Sequence, residues 1–254
     1  MQYELNTNRA EQKQKGQMMT DDALPQDSDF PEFPEFPEFP DSPELSEFTD
    51  DMLEDKWVNL DLSRDWREDG PFDISEVDLD ADDVERLDFG TLIITPFDQM
   101  KLQLNVVGNT QEVQAIIVTL GKSMLDLTLF AAPKSANMVA EVRSKVLEAG
   151  EAADAYTELV PGPFGTEIRQ DVPVTLPNGK KSVQHIRIWL VQGPGWLLRG
   201  TIMGAAGSAE GVDAATADLY DFFCNVVVTR PEQPLAPGAL IPMAAPEGLL
   251  PKQR

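Results

Sequence analysis

The residues best suited to chemistry lie in two stretches, 167–171 and 185–199, where charged side chains alternate with apolar ones. Two arginines can bind a carboxylate or phosphate through parallel N–H donors, with a tryptophan as an apolar wall. A histidine beside an aspartate can be held in one orientation, as acid–base chemistry requires. The candidate ligand-binding residues are therefore Glu167, Arg169, Asp171, His185, Arg187, Trp189 and Arg199.

The alternative role for these side chains is structural. Asp171 and His185 would then form a cross-strand ion pair on a solvated sheet face, and Arg199 would cover Trp189 through a cation–π contact. We favour this interpretation because surface charge lattices are common and their pairs are individually weak. An Arg187→Gln substitution on such a face is expected to change stability by less than about 1 kcal/mol.

A hairpin positions the first of these residues. Residues 176–180 (Leu-Pro-Asn-Gly-Lys) suit a type I turn followed by a glycine in the left-handed region. A three-residue loop pairs Ile168 with Ile188 and Arg169 with Arg187, whereas a two-residue loop mixes apolar with polar partners on both faces. Because a slip of one residue moves every side chain to the other face, we predict the three-residue loop.

A second hairpin turns at residues 193–195 (Gly-Pro-Gly). By the same test we predict a three-residue loop that pairs Leu190 with Leu198 and places Trp189 opposite Arg199. All candidate ligand-binding residues then share one solvated face. The predicted buried face consists of Ile168, Val172, Ile186, Ile188, Leu190, Leu198 and Ile202.

The surrounding pattern predicts an α+β fold, a largely antiparallel sheet of about seven or eight strands with two helices packed on one face. Apolar residues alternate over 100–106, 116–120 and 125–129, which predicts three strands, and Gly121-Lys122 supplies a turn. Ser135 can cap a helix that ends at Gly150. A second helix is predicted over 213–223, followed by a short strand at 226–228.

The charge is distributed very unevenly along the 254 residues. Residues 1–85 carry 27 acidic and 6 basic side chains, a net charge of −21, whereas residues 86–254 carry −3. We therefore divide the chain into an acidic arm (1–55), an acidic strap that docks on the body (56–85), an α+β domain (86–230) and a Pro-rich extended tail (231–254). The arm holds too little apolar surface to offset its ordering entropy, so we predict that it is disordered.

Inside the arm, residues 30–40 repeat the tripeptide Phe-Pro-Glu without interruption. A polyproline II helix has three residues per turn, so it would align Phe30, Phe33, Phe36 and Phe39 along one edge. Those rings could enter a partner's groove with apolar pockets and a basic rim. The favoured alternative is a stiff, soluble spacer. Translation could begin at Met1 or near Met18, and sequence does not decide between them.

Several functional classes are disfavoured. The chain has one His and one Cys, too few for a Cys/His zinc site, and Cys224 is expected to be a small buried residue. Phosphate-binding glycine motifs are missing from the sequence, so no cofactor is predicted. The net charge of −24 would repel nucleic acid. No apolar run reaches the length of a membrane span, and no secretory signal is visible, so we expect a cytoplasmic protein.

Five short blocks occur in order along the chain: 70–73 (GPFD), 87–92 (LDFGTL), 130–134 (FAAPK), 162–167 (GPFGTE) and 196–200 (WLLRG). This pattern resembles an actinobacterial family catalogued as domain of unknown function 3710, over roughly residues 70–245. The resemblance implies a cytoplasmic actinobacterial protein and brings no reaction, substrate or catalytic residue. The most specific block contains Gly162, Pro163, Phe164, Gly165 and Thr166, for which we favour a structural role over a ligand-touching loop.

Three functions remain open. The leading hypothesis is a non-enzymatic interaction protein whose acidic, Phe-bearing arm engages a basic or apolar protein partner. The alternative is a domain or enzyme that binds a small anionic ligand at the Arg-rich face. A third possibility is a polyanion mimic that occupies a nucleic-acid-binding protein.

Overall fold

The chain is organised around one large β-sheet, seen in a computed structural model that describes residues 3–7, 56–107, 112–176, 178–213, 215–231 and 233–246. In chain order the strands are β1 (Tyr3–Thr7), β2 (Phe72–Asp73), β3 (Leu87–Asp88), β4 (Leu92–Ile94), β5 (Lys101–Val106), β6 (Glu112–Leu120), β7 (Ser123–Ala131), β8 (Tyr156–Gly162), β9 (Gly165–Thr175), β10 (Lys181–Gly193), β11 (Trp196–Gly204), β12 (Val227–Val228) and β13 (Met243–Ala244). The helices are α1 (Lys56–Asp61), α2 (Val139–Ala152) and α3 (Ala217–Cys224), and a 3₁₀ turn covers Ile74–Glu76.

The large sheet has the strand order β1-β5-β6-β7-β11-β10-β9-β8, and β13 also pairs with β6. Its neighbours are antiparallel except β1, which runs parallel to β5. A second, small sheet has the order β2-β12-β4-β3. The predicted α+β class with a largely antiparallel sheet is confirmed.

The centre of the large sheet is covered on both faces. Every residue of β7 is buried, including Asp126 and Thr128. Next to the edge strand β1, strand β5 keeps the alternation of buried and more exposed residues that its sequence predicts. The alternation of polar and apolar residues therefore distinguishes a buried from a solvent-facing side of the sheet in β5 but not in β7.

The two longer helices lie on opposite faces of the sheet, and the prediction that they share one face is wrong. Val142 and Val146 of α2 pack in one apolar cluster with Ile188. Phe223 of α3 packs in another cluster with Trp189. Because adjacent residues of a strand point to opposite faces, Ile188 and Trp189 place the two helices on opposite sides of β10.

The ends of α2 differ from the prediction. Ser135 does not cap the helix; instead the Asn137 side-chain oxygen accepts a hydrogen bond from the Val139 N–H at 2.8 Å. The helix also continues past Gly150, where a Cβ atom would lie 2.3 Å from the side-chain nitrogen of Gln170. Glycine is needed there for the close approach of α2 to β9 rather than to end the helix.

Two carboxylates attach the strap to the body. Asp61, at the end of α1, accepts a hydrogen bond from the Thr166 N–H at 2.7 Å and pairs with Arg143 of α2. Asp73 is fully buried and accepts the indole N–H of Trp196 at 3.0 Å. The acidic strap is thereby fixed at two points on the domain.

The Pro-rich tail also contacts the sheet. Leu240 forms a β-bridge with Phe130, and Met243 of β13 pairs with Val113 of β6. This part of the tail therefore continues the sheet where β6 and β7 separate.

Most of the acidic arm lies outside the described residues, as does its whole Phe-Pro-Glu repeat. The predictions for Phe30, Phe33, Phe36 and Phe39 therefore stay predictions. Within residues 1–55 the structure adds one element that the sequence analysis did not predict, the strand β1.

Candidate functional site

The hairpin of β9 and β10 brings the charged residues together in the predicted register. Ile168 pairs with Ile188, and Arg169 pairs with Arg187. The Leu176 N–H donates to the carbonyl oxygen of Lys180 at 2.9 Å, as a three-residue loop requires. The prediction for this hairpin is confirmed.

The second hairpin has a different register. Gly193 pairs with Trp196, so the turn contains two residues, not three. Leu190 consequently lies opposite Arg199, and Trp189 lies opposite Gly200. The predicted pairing of Trp189 with Arg199 is wrong, and Arg199 points to the opposite face of the sheet.

At the centre of the site is the carboxylate of Glu167, which collects four hydrogen bonds. Arg187 donates to it through Nε at 2.9 Å and through Nη2 at 2.8 Å. The indole N–H of Trp189 donates at 2.7 Å, and Nε of Arg169 donates at 2.8 Å. The two arginines, which would repel each other across the strands, are held together by this one carboxylate.

Arg187 also connects the sheet to the segment that leads into α3. Its Nη1 lies 3.2 Å from the carbonyl oxygen of Ala206 and 3.2 Å from the hydroxyl of Thr216. Its guanidinium carbon lies 5.8 Å from the ring centroid of Trp189, so the cation–π partner of Trp189 is Arg187 rather than Arg199. One guanidinium thus joins β9, β10 and the approach to α3.

This network is inside the protein. The side chains of Glu167 and Arg187 are each 1% exposed, and Trp189 is buried with them, so the expected solvated face is wrong for these three. Arg169 is 28% exposed and marks the rim of the network. Because the donors of Arg187 are engaged within the fold, the geometry supports a stabilising role rather than an open anion site.

The same strands carry an exposed pair beyond the network. Nδ1 of His185 lies 2.6 Å from the carboxylate of Asp171, in the predicted register, and both side chains are about half exposed. Tyr156 of β8 pairs with Asp171 on its other side. Within the described part of the chain, no hydroxyl or thiol is hydrogen-bonded to His185, which supports the cross-strand ion pair.

Arg199 belongs to a second buried polar group on the opposite face. Its Nη2 lies 3.3 Å from the hydroxyl of Thr128, and that hydroxyl donates to Asp126 at 2.9 Å. Its guanidinium also lies 5.2 Å from the ring centroid of Phe130. Burial raises the pKa of the Asp126 carboxyl, an effect that the nearby charge of Arg199 and the Thr128 hydroxyl only partly offset.

Sequence reasoning missed Asp126 and Asp73. The available signal for Asp126 was one carboxylate in an otherwise apolar strand. Asp73 was hidden among the many acidic residues of the strap. Burial would raise the pKa of Asp73, but hydrogen bonds from Ser75 and Trp196 and the charge of Arg230 outweigh it and lower the pKa below its ordinary value.

The Gly-Pro-Phe-Gly-Thr block forms the turn between β8 and β9, where Gly162 pairs with Gly165. A Cβ atom on Gly165, whose φ is +93°, would lie 2.7 Å from the Asp61 carboxylate, so only glycine lets the strap come this close. Phe164 is buried, with its ring centroid 5.3 Å from that of Trp189. These contacts support the structural role predicted for the block.

The described residues contain no group of three or more His, Cys, Asp or Glu side chains placed to hold a metal ion. No helix among them is both long and apolar enough to cross a membrane. A small surface depression lies where α1 meets α2 and is lined by Val58, Asp61, Leu62, Asn137 and Ala140. Cys224 is buried, as predicted, and burial raises the pKa of its thiol to about 11.

A family model described as "Protein of unknown function (DUF3710)" matches residues 70–252. No curated protein and no solved structure matches the chain.

Proposed function

The chain belongs to the DUF3710 family of proteins of unknown function, and we propose that it is a non-enzymatic interaction protein. It binds a basic protein partner through its acidic N-terminal part. The observation that carries the proposal is the surface of the strap. Between residues 65 and 85 nine carboxylates are exposed: Asp65, Glu68, Asp69, Glu76, Asp78, Asp80, Asp82, Asp83 and Glu85. The only base in this stretch, Arg67, is half-buried and bound to Glu76.

The anchored strap supports the proposal because its chain is attached to the surface of the domain. Asp61 and Asp73 hold its two parts against the domain. A dense set of like charges attracts an oppositely charged partner and selects against partners of the same sign. The same field disfavours nucleic acid as the direct partner.

Exposed apolar side chains lie beside and within the acidic stretch and could supply contact area. Leu62 is 57% exposed and Val84 is 47% exposed. Protein interfaces combine apolar contacts with a polar rim, so a partner that is basic and partly apolar fits this surface.

The test is affinity capture with matched charge variants. The strap variant carries Asp80→Asn, Asp83→Asn and Glu85→Gln, three exposed residues. The control variant carries Glu148→Gln, Glu151→Gln and Asp154→Asn, which change the net charge equally at the end of α2. Surface substitutions of this kind usually change stability by no more than about 0.5 kcal/mol, so both variants should fold.

We expect the wild type and the control variant to retain the same partner and the strap variant to lose it. Equal recovery by all three proteins would contradict the proposal. If duplex DNA competes with the protein for the recovered partner, the basic surface that binds the strap is also a nucleic-acid-binding surface, as the polyanion-mimic hypothesis predicts.

A further inference from the structure

The face of the large sheet that carries α2 (the α2 face) extends beyond that helix. Helix α2 packs on β8, β9 and β10, and Leu240 of the tail lies beside Phe130. Further across the same face, Ile117 of β6 pairs with Asp126 of β7. Ile117 belongs to the apolar cluster of α2, and Asp126 shares its face because side chains opposite each other on neighbouring strands lie on the same side.

This outer part of the α2 face is buried. Ile117 is 3% exposed and Asp126 is 8% exposed, and Ala115 and Arg199 are buried as well. A side chain on a sheet is removed from water by what packs on its own face, and α3 and the small sheet pack on the other face. Burial at β6 and β7 therefore calls for a further segment of the chain on the α2 face.

The connection between β1 and α1 is placed to supply that segment. Strand β1 ends at Thr7 beside β5, whereas α1 begins at Lys56 and packs on β9 and on Arg143 of α2. Six strand spacings separate β1 from β9, a distance of roughly 29 Å. The 48 residues of the connection, 8–55, lie outside the described residues, and a flexible chain of that length spans roughly 40 Å. Its direct route crosses β5, β6, β7 and β11 on the α2 face.

The chemistry of the face selects one part of this connection. The face combines apolar side chains with the guanidinium of Arg199, whose carbon lies 5.2 Å from the ring centroid of Phe130. Between residues 8 and 55, only the Phe-Pro-Glu repeat alternates aromatic rings with carboxylates at a constant spacing of three residues. Aromatic rings pack on apolar surface and beside guanidinium groups, and carboxylates complement the charge of Arg199.

We propose that the Phe-Pro-Glu repeat, residues 30–40, docks on the α2 face of β6, β7 and β11 of its own chain. A polyproline II segment has no internal hydrogen bonds, so it can present its rings without a core of its own. A partner with a groove for these rings must then compete with the α2 face. This inference concerns a different surface from the acidic strap and goes beyond the function proposed above.

The test measures how accessible a thiol on the α2 face is in the full-length protein. Ala115→Cys places a small reporter there, two residues before Ile117. Cys224 is buried in the cluster around α3, so it is an internal control on the other face. A maleimide reacts with each thiol at a rate that depends on its exposure, and peptide mapping separates the two rates.

Two matched sets of substitutions are compared in this reporter protein. The repeat variant carries Phe30→Ala, Phe33→Ala, Phe36→Ala and Phe39→Ala. The control variant removes four other large apolar side chains of the arm, through Met19→Ala, Leu24→Ala, Leu45→Ala and Phe48→Ala. Both variants keep the charge of the arm unchanged.

We expect the reporter thiol to react at least tenfold faster in the repeat variant than in the parent protein, while Cys224 keeps its rate. The control variant should react like the parent protein. An unchanged rate at the reporter in the repeat variant, or an equal increase in the control variant, would overturn the proposal. The strap variant should leave the reporter protected, so failure of the acidic-surface proposal and failure of this one are distinguishable.

A second measurement decides the matter if the repeat variant unfolds and both thiols react faster. A photoreactive benzoylphenylalanine replaces Phe36 in the otherwise unchanged protein, which keeps an aromatic ring at that position. The expected product is a cross-link within one chain to a peptide of β6, β7 or β11, at a yield that does not change on dilution. Cross-links only between chains, or only to the α3 side of the sheet, would overturn the proposal.

Discussion

Arg187 and Arg169 lie directly opposite each other on β10 and β9, and both guanidinium groups bind the carboxylate of Glu167. The two differ sharply in burial, since the side chain of Arg187 is 1% exposed and that of Arg169 is 28% exposed. This difference separates a buried ion pair, which is costly to break, from a rim contact, which is not.

The first prediction uses the same substitution at both positions. Arg187→Gln should lower the free energy of unfolding by about 3–5 kcal/mol, because it breaks a buried ion pair. Arg169→Gln leaves the Arg187–Glu167 pair intact and should cost less than about 1 kcal/mol. Urea denaturation of both variants measures the difference, and equal losses would show that the network is not buried as the structure places it. The expected loss of stability for Arg187→Gln is therefore larger than the change of less than about 1 kcal/mol predicted for a solvated face.

The second prediction concerns acid sensitivity at Asp73. Because the pKa of Asp73 is lowered in the folded protein, its stabilising contribution is present above the ordinary carboxyl pKa of about 3.9 and is lost as the pH falls through the lower folded value. The wild type should therefore lose stability below about pH 4. Asp73→Asn should be less stable at pH 7 and should lose less on acidification. Parallel pH profiles for the two proteins would contradict this.

The third prediction has the opposite sign and concerns Asp126. Its pKa is raised by burial, so its contribution is present below the ordinary carboxyl pKa and is lost as the pH rises through the higher folded value. Stability measured for Asp126→Asn, relative to the wild type, should therefore increase as the pH rises above the ordinary carboxyl pKa of about 3.9. The stability of Asp73→Asn relative to the wild type should instead fall as the pH rises from strongly acid values to about 4, and then stay constant. The same trend for both variants would be inconsistent with the structure.

The fourth prediction separates the interaction hypothesis from the small-ligand hypothesis. Because the donors of Arg187 are engaged inside the fold, thermal melting of the wild type with a panel of anionic metabolites should show no stabilisation that grows with ligand concentration. A concentration-dependent shift that Arg169→Gln removes would instead indicate an anion site at the rim of the network.

The two hairpins show how far the sequence predicts this fold. For the first hairpin, the mismatch between apolar and polar partners identified the register correctly. For the second, the same argument rejected the true register because it pairs Leu190 with Arg199. That argument assumes one buried and one solvated face, and it fails here because Arg199 and Trp189 are both buried, on opposite faces of the sheet.

The sequence predicted which residues form the candidate site, but it did not predict that most of them are buried. The alternation of Glu167 and Arg169 placed these residues on one face correctly, and the pairing with Arg187 followed. The buried contacts of Arg187 include Ala206 and Thr216, which precede α3. These residues are distant in sequence, so no local pattern in β9 or β10 predicts that contact. The partner of Asp61, the N–H of Thr166, is likewise distant in sequence and could be found only in three dimensions.

The most direct test of the account is the salt dependence of partner affinity, measured by surface plasmon resonance with the captured partner for the wild type, the strap variant and the control variant. Charges on the strap act over about 10 Å at 0.1 M salt, so the affinity of the wild type should fall steadily between 50 and 300 mM salt. The strap variant should bind more weakly at 50 mM and depend less on salt, while the control variant should follow the wild type. Identical affinities and identical salt dependence for the strap variant and the wild type would contradict the claim that the acidic strap binds the partner.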